Sequence, residues 1–599
     1  MTNKVKIPWA KSTGGVPLYL DYFEGTMFDK VVDGAKEYPR NIAYDFMGAK
    51  TTYTDFIKQV QKCARALKML GVRENDKVTI AMPNCPQAIV MFYAINLAGA
   101  ISNMVHPLSS EEELVYYINN VKSETILTLD QFYNKIESIR SRTTIKNVII
   151  ARVKDALSKP IKYGYMLTEG RKIKKIPSTA PVIMWNNFMT LGNTKFYQPD
   201  IKRTSNDPAV ILYSGGTTGV NKGILLTNKN FNALAAQIKA SNPMFRAGDK
   251  MLAVMPVFHG FGLGVSIHSM LANGGRCILV PRFTPKSYAG DLLRHKCNFV
   301  AGVPTLYEAL LRLPKFDKAN LSFLKGVFSG GDSLSIELKK KLDEFLYSHN
   351  ASIQVREGYG MTETVTACCL TPVNYYKEGS IGIPLPDVYM KIVEPGTDNE
   401  LPYGEEGEIL LAGPTVMSEY INHKEETEAT LMRSEVDGLT WVHSGDLGTM
   451  DDDGFVYFKG RAKRMIVTSG YNVYPAQLEN ILDASDLVSM SCVIGVPDDY
   501  RMEKVKAFIV LKNGVTPSEG TKKSILDYAS KHIAKYAMPK EIEFREELPK
   551  TLVGKVAYRV LEEEEKTKRE ALKQDNNQAK EWIIPQAKDL LGFKTKFVI

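Results

Sequence analysis

Tyr213-Ser-Gly-Gly-Thr-Thr-Gly-Val-Asn-Lys-Gly223 follows the apolar run Ala209-Val-Ile-Leu212, which reads as a buried strand. Four glycines, three hydroxyl side chains and one lysine fall in the ten positions from Ser214 to Gly223. Glycine lets a backbone turn tightly and present bare N–H groups to an anion. Ser214, Thr217 and Thr218 add side-chain donors, and Lys222 adds a point charge suited to phosphate. Gly215, Gly216 and Gly219 supply the bare backbone between them. The stretch has the make-up of a nucleotide-phosphate loop, with a plain glycine-rich turn between strands as the alternative. It is not a Walker loop: Lys222 is followed by Gly223 and the hydroxyls precede it, so a GTPase or P-loop kinase fails at its own signature.

Outward from this loop, helical patterns alternate with short apolar runs from about residue 50 to 450. Val78 to Met82, Ala100 to Val105, Lys250 to Val254, Arg276 to Val280, Phe299 to Val303 and Gly326 to Ser329 read as strands, and Pro86 to Leu97 as a helix. That rhythm predicts an α/β fold with βαβ crossovers and largely parallel sheets, whose ligands bind beyond the carboxyl ends of the strands. The character changes after Asp451-Asp-Asp-Gly454, where short β runs and helices predict a compact α+β unit. The expected organisation is a large multi-sheet domain over 1–459, a small mobile domain over 460–565 and a charged helical tail over 566–599. Residues 140–176 are rich in Lys and Arg with only Asp155 and Glu169 opposing them. They read first as a solvated insertion and second as a contact with acidic membrane.

The composition, 44% hydrophobic and 24% charged over 599 residues, is that of a globular protein with ample core. A net charge of +9 permits attraction to polyanions without requiring it, and no nucleic-acid partner is expected. The seven cysteines form no Cys-x-x-Cys or zinc-spaced cluster, which fits a reducing compartment. Met-Thr-Asn-Lys-Val-Lys-Ile-Pro-Trp lacks the apolar segment of a signal peptide. Ala88 to Ile101 is too short to span a bilayer and is interrupted by Asn96 and Gly99, so a buried helix running into a strand is expected there. A cytoplasmic location follows, with peripheral membrane contact as a further option.

Further motifs follow the loop in order. Glu357-Gly-Tyr-Gly-Met-Thr-Glu363 combines a flat aromatic able to lie on a purine, glycines for close approach, and a carboxylate beside the hydroxyl of Thr362. Ser444-Gly-Asp446 offers one acid for two ribose hydroxyls, and Arg461 in Gly460-Arg-Ala-Lys463 could reach the same sugar. Lys555 ends Leu548-Pro-Lys-Thr-Leu-Val-Gly-Lys555. Each alone is a turn or a surface charge; together, in this order, they resemble the adenylate-forming superfamily of acyl-CoA synthetases, peptide-synthetase adenylation domains and luciferases. The resemblance covers about residues 25 to 565. Gly-Gly-Thr-Thr-Gly, Ser469-Gly-Tyr-Asn-Val-Tyr-Pro475 and Leu-Pro-Lys-x-x-Val-Gly-Lys look like the form in bacterial long-chain fatty-acyl-CoA synthetases.

The resemblance implies two steps. A carboxylate attacks the α-phosphate of Mg-ATP to give an acyl-adenylate and pyrophosphate; then the small domain rotates and the thiol of coenzyme A takes the acyl group. It assigns Lys555 to the carboxylate and α-phosphate, Ser214 to Lys222 to the β- and γ-phosphates, and Glu363 with Thr218 to Mg²⁺. Tyr359 stacks on adenine, with Gly331 and Gly358 leaving room for the base and Glu357 and Gly360 flanking it. Asp446 and Arg461 hold the ribose, Lys463 is the hinge, and Ser469, Gly470 and Tyr471 face the coenzyme tunnel. His259 matches a position near the substrate carboxylate, a core histidine being the alternative, and Gly302 and Gly330 line the acyl pocket. Arg464 and Met502 depart from the family pattern, standing where an acidic residue and a glycine are common. The implied substrate is a medium- to long-chain fatty acid. A ligase that loads a carrier protein or activates an aromatic acid is the alternative, and a non-catalytic nucleotide-binding regulator would have lost Lys555 or Glu363.

Overall fold

The computed structural model of the chain describes residues 5–194, 202–214, 221–373, 375–468, 471–498, 502–551 and 554–571. The helices start where local chemistry says they should. Ser110 and Glu113 close a capping box before Glu111–Asn120, whose first turn carries three glutamates, each favourable at the positive end of the helix dipole. Pro86 opens Pro86–Leu97, where a missing N–H is harmless. That helix is apolar all round and is buried along nearly its whole length, followed by the buried strand Ile101–Met104. No helix among the described residues is long and apolar enough to cross a membrane.

The chain divides into two compact units, Met1–Lys463 and Arg464–Ile599. Among the described residues the first unit holds sheets of nine, eight and five strands. In the nine-stranded sheet, Val355–Tyr359, Gly326–Gly330, Phe299–Gly302, Lys250–Ala253, Arg276–Leu279 and Ile42–Phe46 run parallel in that order. In the eight-stranded sheet, Pro208–Ser214 lies parallel to Ile101–Met104, while Lys222–Thr227 and Glu419–Tyr420 extend the edge antiparallel. Parallel strands covered on both faces must be apolar throughout, and Ile80, Ile126, Val210, Leu252, Ala301 and Val355 are all buried.

The expected boundary at 460 differs from this division. The strand Val456–Arg461 pairs with Thr440–Met450 in the five-stranded sheet, with Gly460 opposite Leu447 and Arg461 opposite Asp446. Ladder hydrogen bonds thus keep the chain in the large unit beyond Gly460.

The small unit pairs Val488–Asp498 with Met502–Leu511 antiparallel and adds Glu541–Arg545 in parallel. The helices Pro475–Asp483 and Glu519–Ala529 cover a core of Ile466, Leu478, Leu482, Val493, Val505 and Ile525. Arg464, at the start of this unit, donates to Glu479 Oε1 at 2.5 Å and lies 4.5 Å from the ring centroid of Tyr558. Met502 has φ +68°, the left-handed region where a side chain is strained and glycine is not. Its departure from the family glycine is therefore a local strain. Met502→Gly is expected to stabilise this unit by about 0.5–1 kcal/mol, the relief of that strain less the chain entropy of a glycine, readable as a shift in its denaturant midpoint.

Candidate active site

The two ends of the predicted phosphate loop sit on paired antiparallel strands. Ser214 ends Pro208–Ser214 and Lys222 begins Lys222–Thr227, the two residues being paired with each other. Gly215, Gly216, Thr217, Thr218 and Gly219 lie outside the described residues. The strand pair is anchored by Tyr213, whose hydroxyl donates to Asn103 Oδ1 at 2.8 Å and whose ring lies 4.2 Å from that of Tyr117. Lys222 Nζ stands 4.9 Å from the ring centroid of Tyr420 and 3.9 Å from Glu426 Oε1.

Tyr420 is a residue that sequence reasoning missed. Glu419–Tyr420 is a two-residue edge strand beside Ile224 and Leu225, too short to show a period. From it the Tyr420 hydroxyl donates to Glu363 Oε1 at 2.7 Å. One aromatic ring thus bears the loop lysine on its face and the Glu363 carboxylate on its hydroxyl. Burial first, and then the Glu363 charge, push the Tyr420 phenol well above its usual range, so it remains a donor.

Glu363 is carried on the short turn Thr362–Thr364, which follows the strand Val355–Tyr359. The next residue, Val365, has φ +66° and ψ −57°, and Thr366 N–H donates to Thr364 O at 2.8 Å across it. This is a γ-turn of the strained hand, centred on a β-branched residue. The turn has no room on either side. A Cβ at Gly360 would lie 1.6 Å from Thr366 O, and one at Gly260 would lie 1.7 Å from Val365 O. Two glycines, one heading the helix Phe261–His268 and one just after the strand Val355–Tyr359, therefore hold the turn closed. Such strain persists where surrounding structure over-determines it and collects at functional sites.

The carboxyl end of the nine-stranded sheet presents Glu357, Gly358 and Tyr359 beside Gly326–Gly330. Gly330 is opposite Gly358, and a Cβ there would meet the Gly358 carbonyl at 2.9 Å, while Gly331 has φ +81°. Burial pushes the Glu357 carboxyl up to about 8, so near neutrality it holds a proton and can donate. The Tyr359 hydroxyl donates to Asp446 Oδ2 at 2.7 Å, joining this sheet to the five-stranded one.

Asp446 is buried in Thr440–Met450. Burial raises its carboxyl, opposed by the Arg461 guanidinium and the Tyr359 hydrogen bond. Its Oδ1 lies 3.1 Å from Arg461 Nε as an ion pair but accepts no aligned hydrogen bond among the described residues. A buried carboxylate oxygen left in this state fits a ligand hydroxyl.

The other predicted residues fall as follows. His259, half-buried after Lys250–Ala253, accepts the Phe261 N–H on Nδ1 at 3.2 Å, which leaves the neutral ring's proton on Nε2. Gly302 is buried at the end of Phe299–Gly302, and the space beside it is filled by Leu306 and Tyr307, 3.2 and 3.4 Å from where a Cβ would stand. Lys463 is the last residue of the large unit. In the small unit, Tyr471 is exposed and stacks on Tyr536 with centroids 4.4 Å apart, while Ser469 and Gly470 lie outside the described residues. Lys555 follows Gly554, which has φ +88°, in a turn where Thr551 N–H donates to Lys555 O at 2.7 Å.

Within the large unit, then, two hydrogen bonds bring three sheets to one locus: Tyr420 to Glu363 and Tyr359 to Asp446. Among the described residues no group of three His, Cys, Asp or Glu side chains could hold a metal. One carboxylate, supplemented by hydroxyl, water and phosphate oxygens, is nevertheless how Mg²⁺ is commonly held, and Glu363, linked through Tyr420 to Lys222, fits that pattern.

The family model described as AMP-binding enzyme matches residues 31–421, and the AMP-binding enzyme C-terminal domain matches 477–555. A long-chain-fatty-acid–CoA ligase of Bacillus subtilis is 34% identical over 565 residues, covering 93% of this chain and 98% of that one. One from Salmonella typhimurium is 30% identical, covering 89% and 93%. Among solved structures, the anthranilate CoA ligase AuaEII in complex with anthranoyl-AMP superposes with a TM-score of 0.80 at 25% identity, covering 92% of this chain and 98% of that one. The chain belongs to the AMP-binding enzyme family, the adenylate-forming superfamily of acyl-CoA synthetases and AMP-dependent ligases.

Proposed function

We propose that this protein activates a medium- to long-chain fatty acid with ATP and transfers it, through an acyl-adenylate, to coenzyme A, releasing AMP and pyrophosphate. The observation that carries the reading is the convergence of Lys222, Tyr420, Glu363, Tyr359, Asp446 and Arg461 from three sheets. That set provides a cation, an aromatic face, a carboxylate pair and a guanidinium for a nucleoside triphosphate. The fatty-acid lean rests on the Bacillus and Salmonella relatives, each matched over more than nine-tenths of its own length.

In the first step negative charge builds on the α-phosphate oxygens as the carboxylate oxygen bonds to phosphorus and pyrophosphate leaves. Preorganised donors there stabilise the transition state more than the ground state. Lys555 meets the carboxylate and α-phosphate, and Ser214, Thr217, Thr218 and Lys222 hold the departing phosphates. Tyr359 lies on the adenine, and Asp446 takes the ribose hydroxyls with Arg461 at its side. Mg²⁺, when bound, neutralises phosphate charge; Glu363 and Thr218 are the residues that hold it, and Tyr420 keeps the Glu363 carboxylate in place. His259 stands at the acyl carboxylate. Lys463 serves as the hinge and Ser469, Gly470 and Tyr471 as coenzyme contacts.

Asp446→Asn replaces the charged acceptor while keeping its shape. Hydrogen bonds to charged groups contribute about 1.5–3 kcal/mol, so KM for ATP is expected to rise roughly ten- to hundredfold with kcat changed less. Initial rates across an ATP series check this.

A second reading, activation of an aromatic acid, is favoured by the likeness to the anthranilate ligase. Purified enzyme with ATP, Mg²⁺ and CoA, offered acids from C4 to C18 beside benzoate and anthranilate, separates the two by AMP and thioester formation. Kcat/KM highest for C8 to C18 is the expected result. A preference for an aromatic acid, or adenylate accumulating without thioester, overturns it.

A further inference from the structure

We propose that the insertion around Lys159–Leu167 is a docking surface for an anionic lipid bilayer. The sequence marks residues 140–176 as basic, eleven lysines and arginines against Asp155 and Glu169. The structure adds apolar side chains on the outside. Lys159–Leu167 is a nine-residue helix with no buried residue. Tyr163, Met166 and Leu167, spaced i, i+3, i+4 and so sharing a face, are 65, 41 and 63% exposed. A globular helix normally turns such a stripe inward; this one turns it to solvent.

Apolar exposure is not confined to that face, since Ile161, two residues before Tyr163, lies on another side of the helix. Ile161 is exposed and its Cδ1 reaches within 3.7 Å of a Cβ built at Gly48, next to exposed Met47. Phe283 is exposed as well, and its neighbour Arg282 adds to Lys172 in holding the Glu169 carboxyl below its usual range. The basic rim is also uncommitted. Lys172 pairs with Glu169 at 2.8 Å and Arg152 with Asp155 at 3.0 Å, but Lys159, Lys162, Arg171, Lys174 and Lys175 pair with no carboxylate among the described residues. Exposed apolar side chains rimmed by unpaired cations match the two layers of an anionic bilayer surface, acyl boundary and headgroup phosphate. A second copy of this chain would present the same positive charge and repel, so charge complementarity selects the lipid.

None of the residues given catalytic roles belongs to this surface, and vesicle binding without substrate tests it independently of the acid chosen by the active site. The measurement is flotation of the full chain with vesicles of phosphatidylcholine alone or with one-third phosphatidylglycerol, at low and high salt. Binding to the anionic vesicles, weakened by salt, is expected. Arg171→Glu/Lys174→Glu/Lys175→Glu should lower that affinity on the order of a hundredfold, each cation near an anionic surface being worth about fivefold. Tyr163→Ser/Met166→Ser/Leu167→Ser should abolish the binding that survives high salt. Turnover of a water-soluble short-chain acid unchanged in both variants shows that each is folded. Equal binding to neutral and anionic vesicles, flotation unaffected by either variant, or self-association removed by the serine variant while vesicle binding persists overturns the proposal.

Discussion

Replacing Lys555 by Ala is expected to slow acyl-adenylate formation about 10²–10³-fold, the usual effect of removing one preorganised donor from a transition state that gathers charge. Thioester formation from supplied acyl-adenylate should stay within a few-fold of the wild-type rate, because the α-phosphate bond to the acyl group is already made. The substitution leaves the local backbone intact. Lys555 N–H donates to Thr551 Oγ1 at 3.1 Å, Thr551 N–H returns to Lys555 O, and Lys550 and Val556 bridge antiparallel. None of these contacts involves the lysine side chain. Pyrophosphate release measured without CoA reads the first step, and thioester yield from synthetic adenylate reads the second. Equal losses in the two would remove Lys555 from the role proposed for it.

Glu363→Gln is expected to lower adenylation by a similar 10²–10³-fold and to raise the Mg²⁺ concentration for half-maximal rate about tenfold or more, since a neutral amide is a poor ligand for a hard cation. The fold should survive, because Tyr420 can donate to the amide oxygen as it does to the carboxylate. Mg²⁺ titration of pyrophosphate release makes the measurement. A glutamine variant that runs at the wild-type rate with the wild-type Mg²⁺ dependence would take the metal away from this residue.

The parts of the site that the sequence made legible are those whose chemistry is contiguous. Ser214 to Gly223 announces an anion loop because glycines and donors are neighbours in the chain. Pro86–Leu97 is bounded as read, because a proline and an apolar run define it locally. Tyr420 stayed hidden, since its two partners lie 57 positions away at Glu363 and nearly 200 away at Lys222, and no pattern around Glu419 points to either. Val365 stayed hidden as well. Nothing in Thr364-Val-Thr366 signals a left-handed valine; the carbonyls pressed against Gly260 and Gly360 impose it. The end of the large unit lies four residues beyond the expected one, because the pairing of Arg461 with Asp446 is a matter of register across two strands.

By itself the sequence determined the alternation of helices and strands, the order of the nucleotide motifs and the family they belong to. These depend on periodicity and on the chemistry of adjacent residues, which act within a turn or two of backbone. Only the tertiary structure decided that Tyr420 joins Lys222 to Glu363, that Tyr359 ties Asp446 to another sheet, and that Tyr163, Met166 and Leu167 face outward. Those outcomes depend on sheet register and on which surfaces are covered, and both emerge from the cooperative packing of segments far apart in the chain.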